Sequence, residues 1–395
     1  MIHAPTTPDP FGRAVLENPQ PFHEWLRETA PVVYLEQYGV YAMGRYADVH
    51  AALVDWQNFE SSSGVGISNF RKEAPWRQPS VLLEADPPHH DAPRGVLAKI
   101  LSARELGRLR AQWVADADEL VDSLLSRGTE FDAVPELAEA FPLRVFPDAV
   151  GISGEGRENL LPYGDHLFNT FGPHNWLTAK GEPHIAESSR WVAEQCSHEA
   201  LSSEGFGARI WAAADRGEIT AAQAPLMVRS LLSAGVDTTV IGLSAILNAF
   251  ATHPEQWQRL RHEPALARAA FDEAIRLESP VQTFFRTATR DIVLGETVIP
   301  EGEKILMFLA SANRDPRRWT DPHSFDITRD PSGHVGFGMG IHQCVGQHVA
   351  RLEASILLAA LARRISAIEP AGSAVRHLNN TLRGFDSIPV SVTVA

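Results

Sequence analysis

Phe337-Gly338-Met339-Gly340-Ile341-His342-Gln343-Cys344-Val345-Gly346 sets a cysteine among three glycines, with a histidine two residues before it. A helical pattern rich in Ala and Leu follows, from Val345 to Ala362. Glycine permits tight turns and close backbone approach. The start of the following helix aims N–H dipoles at the sulfur and favours thiolate over thiol. A large flat group held by the thiolate, with the loop folded against it, suits both properties. A buried thiol at a glycine-rich turn is the plainer reading of a lone cysteine. Zinc fits badly, because the chain has only Cys196 and Cys344 and no C-x-x-C spacing.

Three further constellations stand at helical spacing. Ala234-Gly235-Val236-Asp237-Thr238-Thr239 lies within the longest helical pattern, Thr220 to Thr252, which as one helix would span about 50 Å. Its small residues would admit a flat ligand, and an adjacent acid and alcohol can relay protons. The alternative is a small-residue helix crossing with a back-bonded threonine. Asp86-Pro87-Pro88-His89-His90 opens a helix on which His90 and Arg94 share a face, by itself a solvated patch. On Pro264 to Leu277, Glu273 and Arg276 are three apart, by spacing alone a surface ion pair worth a few tenths of a kcal/mol.

Together these segments resemble the cytochromes P-450, the haem-thiolate monooxygenases. F-G-x-G-x-H-x-C-x-G has every fixed letter in register, and A-G-x-D-T-T, D-P-P-x-H-x-x-x-R and E-x-x-R stand in the family's order. The resemblance implies a mainly α fold with small β-sheets, a single triangular domain over 1–395, with 1–14 an extended arm. Haem b would lie between the long central helix and the Cys-loop helix, with Cys344 as axial ligand. It also implies that His90, Arg94, Arg286 and His342 hold the propionates, with Phe337, Ala234 and Gly235 against the haem. Asp237 and Thr238 would deliver protons to O2 chemistry, and Glu273 with Arg276 would fix the Cys loop from below. One departure stands out. Many relatives carry an arginine before the Phe of D-P-x-x-F, and this chain reads Asp321-Pro322-His323-Ser324-Phe325, leaving that network without its third partner. Electrons would come from a ferredoxin and its NADH-dependent reductase, since Gly64-Val65-Gly66 lacks the x-x-Gly of a nucleotide fingerprint.

Substrate choice is written in polar residues near the Asp-Thr pair. On one continuous helix, Arg229, Ser233 and Asp237 fall within about 80° of one another, with Ser230 just beyond, so all would look into one cavity. Arg77 and Ser80 flank Pro79 in a long Ser-, Gly- and Pro-rich loop, Ser61 to Pro79, of a length that is usually functional. Guanidinium and hydroxyl groups from two elements form a carboxylate cradle; alternatively, Arg229 pairs with Glu218. Ser230 stands about 12 Å along the helix from Thr238, so a benzoate anchored there would extend its para substituent towards the iron. Leu83, Phe168, Phe171, Val281 and Phe284 would wall it, although Phe168 and Phe171 by spacing alone are ordinary core. Arg77-Gln78-Pro79-Ser80, Val228 to Ser233 and Val281 to Arg286 resemble the bacterial P-450 enzymes that hydroxylate or O-demethylate para-substituted benzoates. The competing functions are a peroxygenase of the same fold, a monooxygenase of an unrelated small hydrophobic substrate, and a non-enzymatic haem-thiolate gas or redox sensor. The intact Asp237-Thr238 pair argues against the first, and a sensor has no need of a proton relay.

Composition sets the frame. With 395 residues, 44% hydrophobic, and no linker or repeat, one compact unit with a large core is expected. A net charge of −14 argues against nucleic acid as partner. Within it, residues 94–110 reverse the sign: Arg94, Lys99, Arg104, Arg108 and Arg110 against Glu105. In the family this region borders the electron-receiving side. No apolar run approaches the roughly 20 residues of a membrane span, and Met1 to Phe22 has no apolar signal core, so a cytoplasmic protein is expected. Two cysteines give no disulfide framework, and Cys196, in a polar stretch, reads as an idle thiol. Helices are predicted at 104–127, 134–150, 155–171 and 183–201. A hairpin is predicted around Gly39, and strands at Val281 to Arg286 and Ile292 to Pro300.

Overall fold

A computed structural model describes residues 8–395 apart from Ser153. Residues 1–7 of the expected arm, and Ser153 of the turn Gly151 to Gly154, therefore lie outside the described residues. The chain is helical by Arg13–Glu17.

The main sheet has five strands, in the order Val33–Leu35, Val40–Met43, Lys304–Phe308, Thr283–Ala288, Phe59–Glu60. Gly39, at φ 63°, turns the first hairpin in the left-handed conformation open to glycine, pairing Tyr34 with Tyr41. Tyr41 then runs parallel to Ile305, and Phe308 pairs antiparallel with Thr283. Lys304–Phe308 is buried along its whole length. Because side chains alternate along a strand, Ile305 and Met307 enter one apolar cluster and Leu306 and Phe308 another. The segment Ile292 to Pro300 forms a second, separate hairpin, Ile292–Leu294 with Thr297–Ile299, turned at Gly295.

Helices make the rest. Ala103–Arg127 buries Leu106, Trp113, Ala117, Val121 and Leu124, three to seven residues apart on one stripe, and packs along Gln347–Arg364. The predicted 134–150 helix opens as a π turn, Val134–Glu139, before Ala140–Val150. That predicted at 155–171 is a 3-10 turn followed by the roof helix Leu160–Asn169. The helix expected at 183–201 runs instead over Trp176–Gln195. It is started by Asn175, whose Oδ1 accepts Leu177 N at 3.0 Å while Thr178 Oγ1 accepts Asn175 N at 3.0 Å. Threonine in place of the usual Glu or Gln hides this capping box in the sequence.

The long central helix is two helices, Gln223–Ala234 and Asp237–Thr252. Gly235 passes under Phe146, where a Cβ would stand 2.4 Å from the ring, and Val236 leaves helical geometry at φ −102°, ψ −65°. The Thr238 hydroxyl donates to Ala234 O at 2.8 Å and that of Thr239 to Gly235 O at 3.2 Å, local bonds that compete with the ladder and bend it. The run 223–252 is also apolar and long enough to cross a membrane, against the sequence expectation. It is the core helix pair of the fold, with 78% of its most apolar window buried. Cys196 is buried, its Sγ donating to Val192 O at 3.1 Å, and burial pushes the thiol up to about 12.

Candidate active site

Gly338 and Gly340 both adopt φ 67° in the cysteine loop. A Cβ on Gly340 would lie 2.6 Å from Leu53 O, so that turn requires glycine twice over. Cys344 N donates to Phe337 O at 2.8 Å and closes the loop. Enclosure pushes the thiol upward, opposed by the N–H groups of Gly346 and Gln347 and by Arg94 and Arg351. Gln347 begins the helix, so its dipole works in the same direction. The accessible surface of Cys344 is part of the wall of the central cavity, so the residue is open to a ligand there while enclosed by the protein.

Beneath the loop, the Glu273–Arg276 pair is fully buried. Arg276 Nε and Nη2 donate to Glu273 Oε2 and Oε1 at 2.7 and 2.8 Å, and Nη1 donates to Asn313 O at 2.8 Å. Asn313 Oδ1 in turn accepts Val335 N at 2.8 Å, which ties the network to the segment entering the loop. The third partner is Arg329, whose Nε donates to Glu273 Oε1 at 3.0 Å. The position before Phe325 is not needed, because the chain turns back after Phe325 and brings Arg329 to the same carboxylate. The signal was D-I-T-R, directly after the segment searched.

Above the sulfur the cavity is faced by Ala234, Gly235, Thr238, Thr239 and Phe337, and its rim carries Arg94, Arg286 and His342. His90 stands behind His342, ring centroids 4.8 Å apart, and does not line the cavity. Neither His90 nitrogen finds a hydrogen-bond partner; Asp91 is its nearest acid, at 3.7 Å. Arg286 is buried, bonded only to Phe285 O at 2.8 Å, and burial lowers it to about 10. Arg94 donates to Gln343 O. One carboxylate answers these groups, Asp86, which accepts His342 Nε2 at 3.2 Å and the N–H groups of Ser61 and Ser62. Buried donors without partners are costly. Two carboxylates on a flat ligand would satisfy them, so the residues fit haem.

Thr238 faces this cavity and Asp237 does not. The break at Gly235 and Val236 rotates Asp237 off the face of Arg229 and Ser233, which corrects the single-cavity expectation. Its carboxyl is buried without a hydrogen bond against Gly164 of the roof helix, where a Cβ would lie 1.6 Å from Oδ2. Burial first, then Asp165 and Glu139, with His377 opposing them, raise Asp237 well above the carboxylate range, which favours its protonated form.

The cavity continues to Arg77, Ser80, Arg229, Ser230 and Ser233, with Leu83, Phe168, Phe171, Val281 and Phe284 as walls. Ser80 and Ser230 hydroxyls meet at 3.5 Å, and Arg229 Nη2 donates to Gln78 O at 2.9 Å. Glu218 pairs instead with Lys99 and Arg216. Sequence reasoning missed Glu84, which is buried, pairs with Arg77 Nη1 at 2.9 Å and accepts Ser80 N at 2.8 Å. Its place four residues after Ser80 was the available signal. Tyr163, also missed, joins the lining from the roof helix.

A soft sulfur ligand facing a slot lined by Arg94 and Arg286, whose guanidinium groups meet backbone carbonyls and no carboxylate in an ion pair among the described residues, suits an anionic macrocycle that carries iron, which places the protein among the haem-thiolate oxygenases. The chain belongs to the cytochrome P450 family; it is a monooxygenase that uses haem b, O2 and a redox partner. Residues 208–390 match the family model described as Cytochrome P450. The chain is 57% identical to Cytochrome p450 CYP199A2 of Rhodopseudomonas palustris, covering 98% of this chain and 94% of that one. It is 30% identical to the beta-dihydromenaquinone-9 omega-hydroxylase of Mycobacterium bovis, over 98% and 78% respectively. Among solved structures it is similar to cytochrome P450 CREJ in complex with (4-ethylphenyl) dihydrogen phosphate, at TM-score 0.88 and 25% identity, covering 98% of this chain and 100% of that chain.

Proposed function

We propose that this monooxygenase hydroxylates or oxidatively O-demethylates small para-substituted aromatic carboxylic acids of the 4-methoxybenzoate type, in the cytoplasm, with electrons from a ferredoxin and its NADH-dependent reductase. The observation that carries the reading is the polarity of the cavity. Arg77, Ser80, Arg229, Ser230 and Ser233 line the same cavity as Cys344, together with the apolar side chains of Leu83, Phe168, Phe171, Val281 and Phe284. A carboxylate leaving water needs charge-assisted hydrogen bonds to replace its hydration. Ser80 and Ser230 offer hydroxyls side by side, and Arg77 Nε has no partner. A flat acid held there directs its para carbon along Gln223–Ala234 towards the iron side. The similar CREJ protein, bound to a para-ethyl aryl phosphate, is a second instance of an acidic aromatic with a para alkyl group.

Bound haem supplies O2 activation, which its thiolate ligand favours by promoting O–O cleavage. The residues of this chain do the rest. Thr238 presents a hydroxyl at the face of the cavity, anchored on Ala234 O. Asp237 stands one residue before it, on the far side of the helix, with a carboxyl that burial favours in its protonated form.

The test is a titration of the haem-loaded protein with 4-methoxybenzoate, its amide and its 2-methoxy isomer, followed by the Soret band and formaldehyde release. The amide should bind more weakly by about 2–4 kcal/mol, roughly 30- to 700-fold. The 2-methoxy isomer should neither shift the band well nor lose its methyl. Arg77→Ala with Ser230→Ala should erase most of the preference for acids. An amide that binds and turns over as well as the acid removes the carboxylate assignment.

A further inference from the structure

Glu84 touches the acid anchor without lining the cavity, whereas Arg77, Ser80, Arg229, Ser230 and Ser233 do line it. Glu84 Oε2 accepts Arg77 Nη1 at 2.9 Å and Ser80 N at 2.8 Å, so both partners are anchor residues. A bound acid would meet the charge of Glu84 and not its atoms. The Glu84 side chain is 2% exposed and that of Arg77 14%, and charges this enclosed are weakly screened by salt.

The charges around the anchor leave a single positive one. Four guanidinium groups line the cavity, those of Arg77, Arg94, Arg229 and Arg286. Arg94 and Arg286 are assigned above to the two carboxylates of haem, and His342 is answered by Asp86. Arg77 and Arg229 remain, with Glu84 against them: two cations, one acid, net one. Arg77 and Glu84 both act on Arg229. Tyr163 and Cys196, which also lie beside Arg229, are raised by burial and stay neutral. Lys304 is within reach of Glu84 too, but it lines no part of the cavity and donates to Ser63 O and Gly64 O. Glu60 and Glu73 act on it as well, and Arg71, which pairs with Glu60, is shared by Glu301. That outlying group carries no surplus positive charge.

We propose that Glu84 sets the charge number of the substrate: it makes the anchor a site for aryl acids with one negative charge, carboxylates and sulfonates, and against those with two, phosphonates and phosphates. The proposal rests on the carboxylate assignment above and narrows it. One charge on the ligand meets one net positive charge at the wall. A second would leave water with nothing of opposite sign to replace its hydration. With glutamine at position 84 both guanidinium charges would be free, and the site would suit a dianion.

The probes are 4-methoxybenzenesulfonate, a monoanion throughout, and 4-methoxyphenylphosphonate, whose second proton leaves near neutrality. Both heads are tetrahedral, so charge varies while shape is held. Their Kd values for the haem-loaded protein are measured by calorimetry on either side of that ionisation. From the acid to the alkaline side, the ratio of phosphonate Kd to sulfonate Kd should rise by about tenfold or more, with a proton taken up on phosphonate binding at neutrality. Division by the sulfonate value corrects for titration of the protein, including Lys304, which burial lowers to about 7. Glu84→Gln should flatten or reverse the rise and abolish the proton uptake, with the sulfonate still bound. Glu84→Asp, which keeps the charge, should retain the wild-type rise even where it weakens every acid. A role in folding alone would weaken both ligands equally, and that result overturns the proposal. So does a wild-type ratio that stays flat, or a sulfonate that does not bind, and these two need no variant. Failure of the carboxylate assignment reads differently: there 4-methoxybenzamide binds as well as 4-methoxybenzoate, whereas here acids stay preferred and only the dependence on their charge is lost.

Discussion

Thr238 and Asp237 are neighbours in sequence with opposite surroundings. The hydroxyl faces the cavity that Cys344 lines, while the acid is sealed against Gly164, where burial favours its protonated form. In the proposed mode, with the substrate anchored by Arg77, Ser80, Arg229, Ser230 and Ser233, binding needs neither group. Thr238→Ala should therefore keep the substrate Kd within about twofold, since no contact to the acid is lost. It should divert most NADH consumption to peroxide by removing the proton-positioning hydroxyl. Product formed per NADH, with peroxide measured in parallel, checks this; an unchanged ratio would leave Thr238 without that role. The pair itself was legible, because an acid beside an alcohol in a small-residue helix is a local signal. Their divergence was not, because it follows from Phe146 pressing on Gly235, a contact between residues far apart in sequence. Glu84 shows the same limit at closer range: the turn at residues 81–83 folds it onto Arg77, and no periodicity announces that turn.

Between elements, the cysteine loop is held by the helix beneath it. The loop was readable because its glycines and its ligand lie within ten residues. Its support was only half readable, since Arg329 meets Glu273 across a return of the chain. Glu273, fully buried, carries one negative charge against two guanidinium groups, that of Arg276 also fully buried and that of Arg329 14% exposed, and Arg329 also bonds Thr320 O at 2.6 Å and Asp321 O at 3.1 Å. Removing a buried hydrogen-bonded charge costs about 1–3 kcal/mol per partner left unpaired. Arg329→Leu should thus lower stability to urea by that amount and speed haem loss to an acceptor protein. Arg329→Lys should recover part of both, as a point charge without the fork. If Leu and wild type release haem at the same rate, Arg329 does not support the loop.

Over the whole molecule, a charge of −14 surrounds a face of the opposite sign. Arg104, Arg108 and Arg110 are exposed on the helix Ala103–Arg127, with only Arg108 drawn to Glu105, which Arg209 shares. That helix packs along Gln347–Arg364, which starts three residues after Cys344, so the basic face lies on the thiolate side of the haem. If the redox partner is the acidic ferredoxin proposed above, the net charge repels it, and a local patch then sets both where it lands and how fast. Arg104→Glu with Arg108→Glu should slow ferredoxin-dependent reduction at low ionic strength by roughly tenfold or more. The gap should narrow as salt rises, since screening acts within about 10 Å at 0.1 M. Substrate-induced Soret shifts should stay unchanged, because neither side chain lines the cavity. Stopped-flow reduction across a salt series measures the effect. Equal rates for variant and wild type at the lowest salt would move the docking face away from this helix.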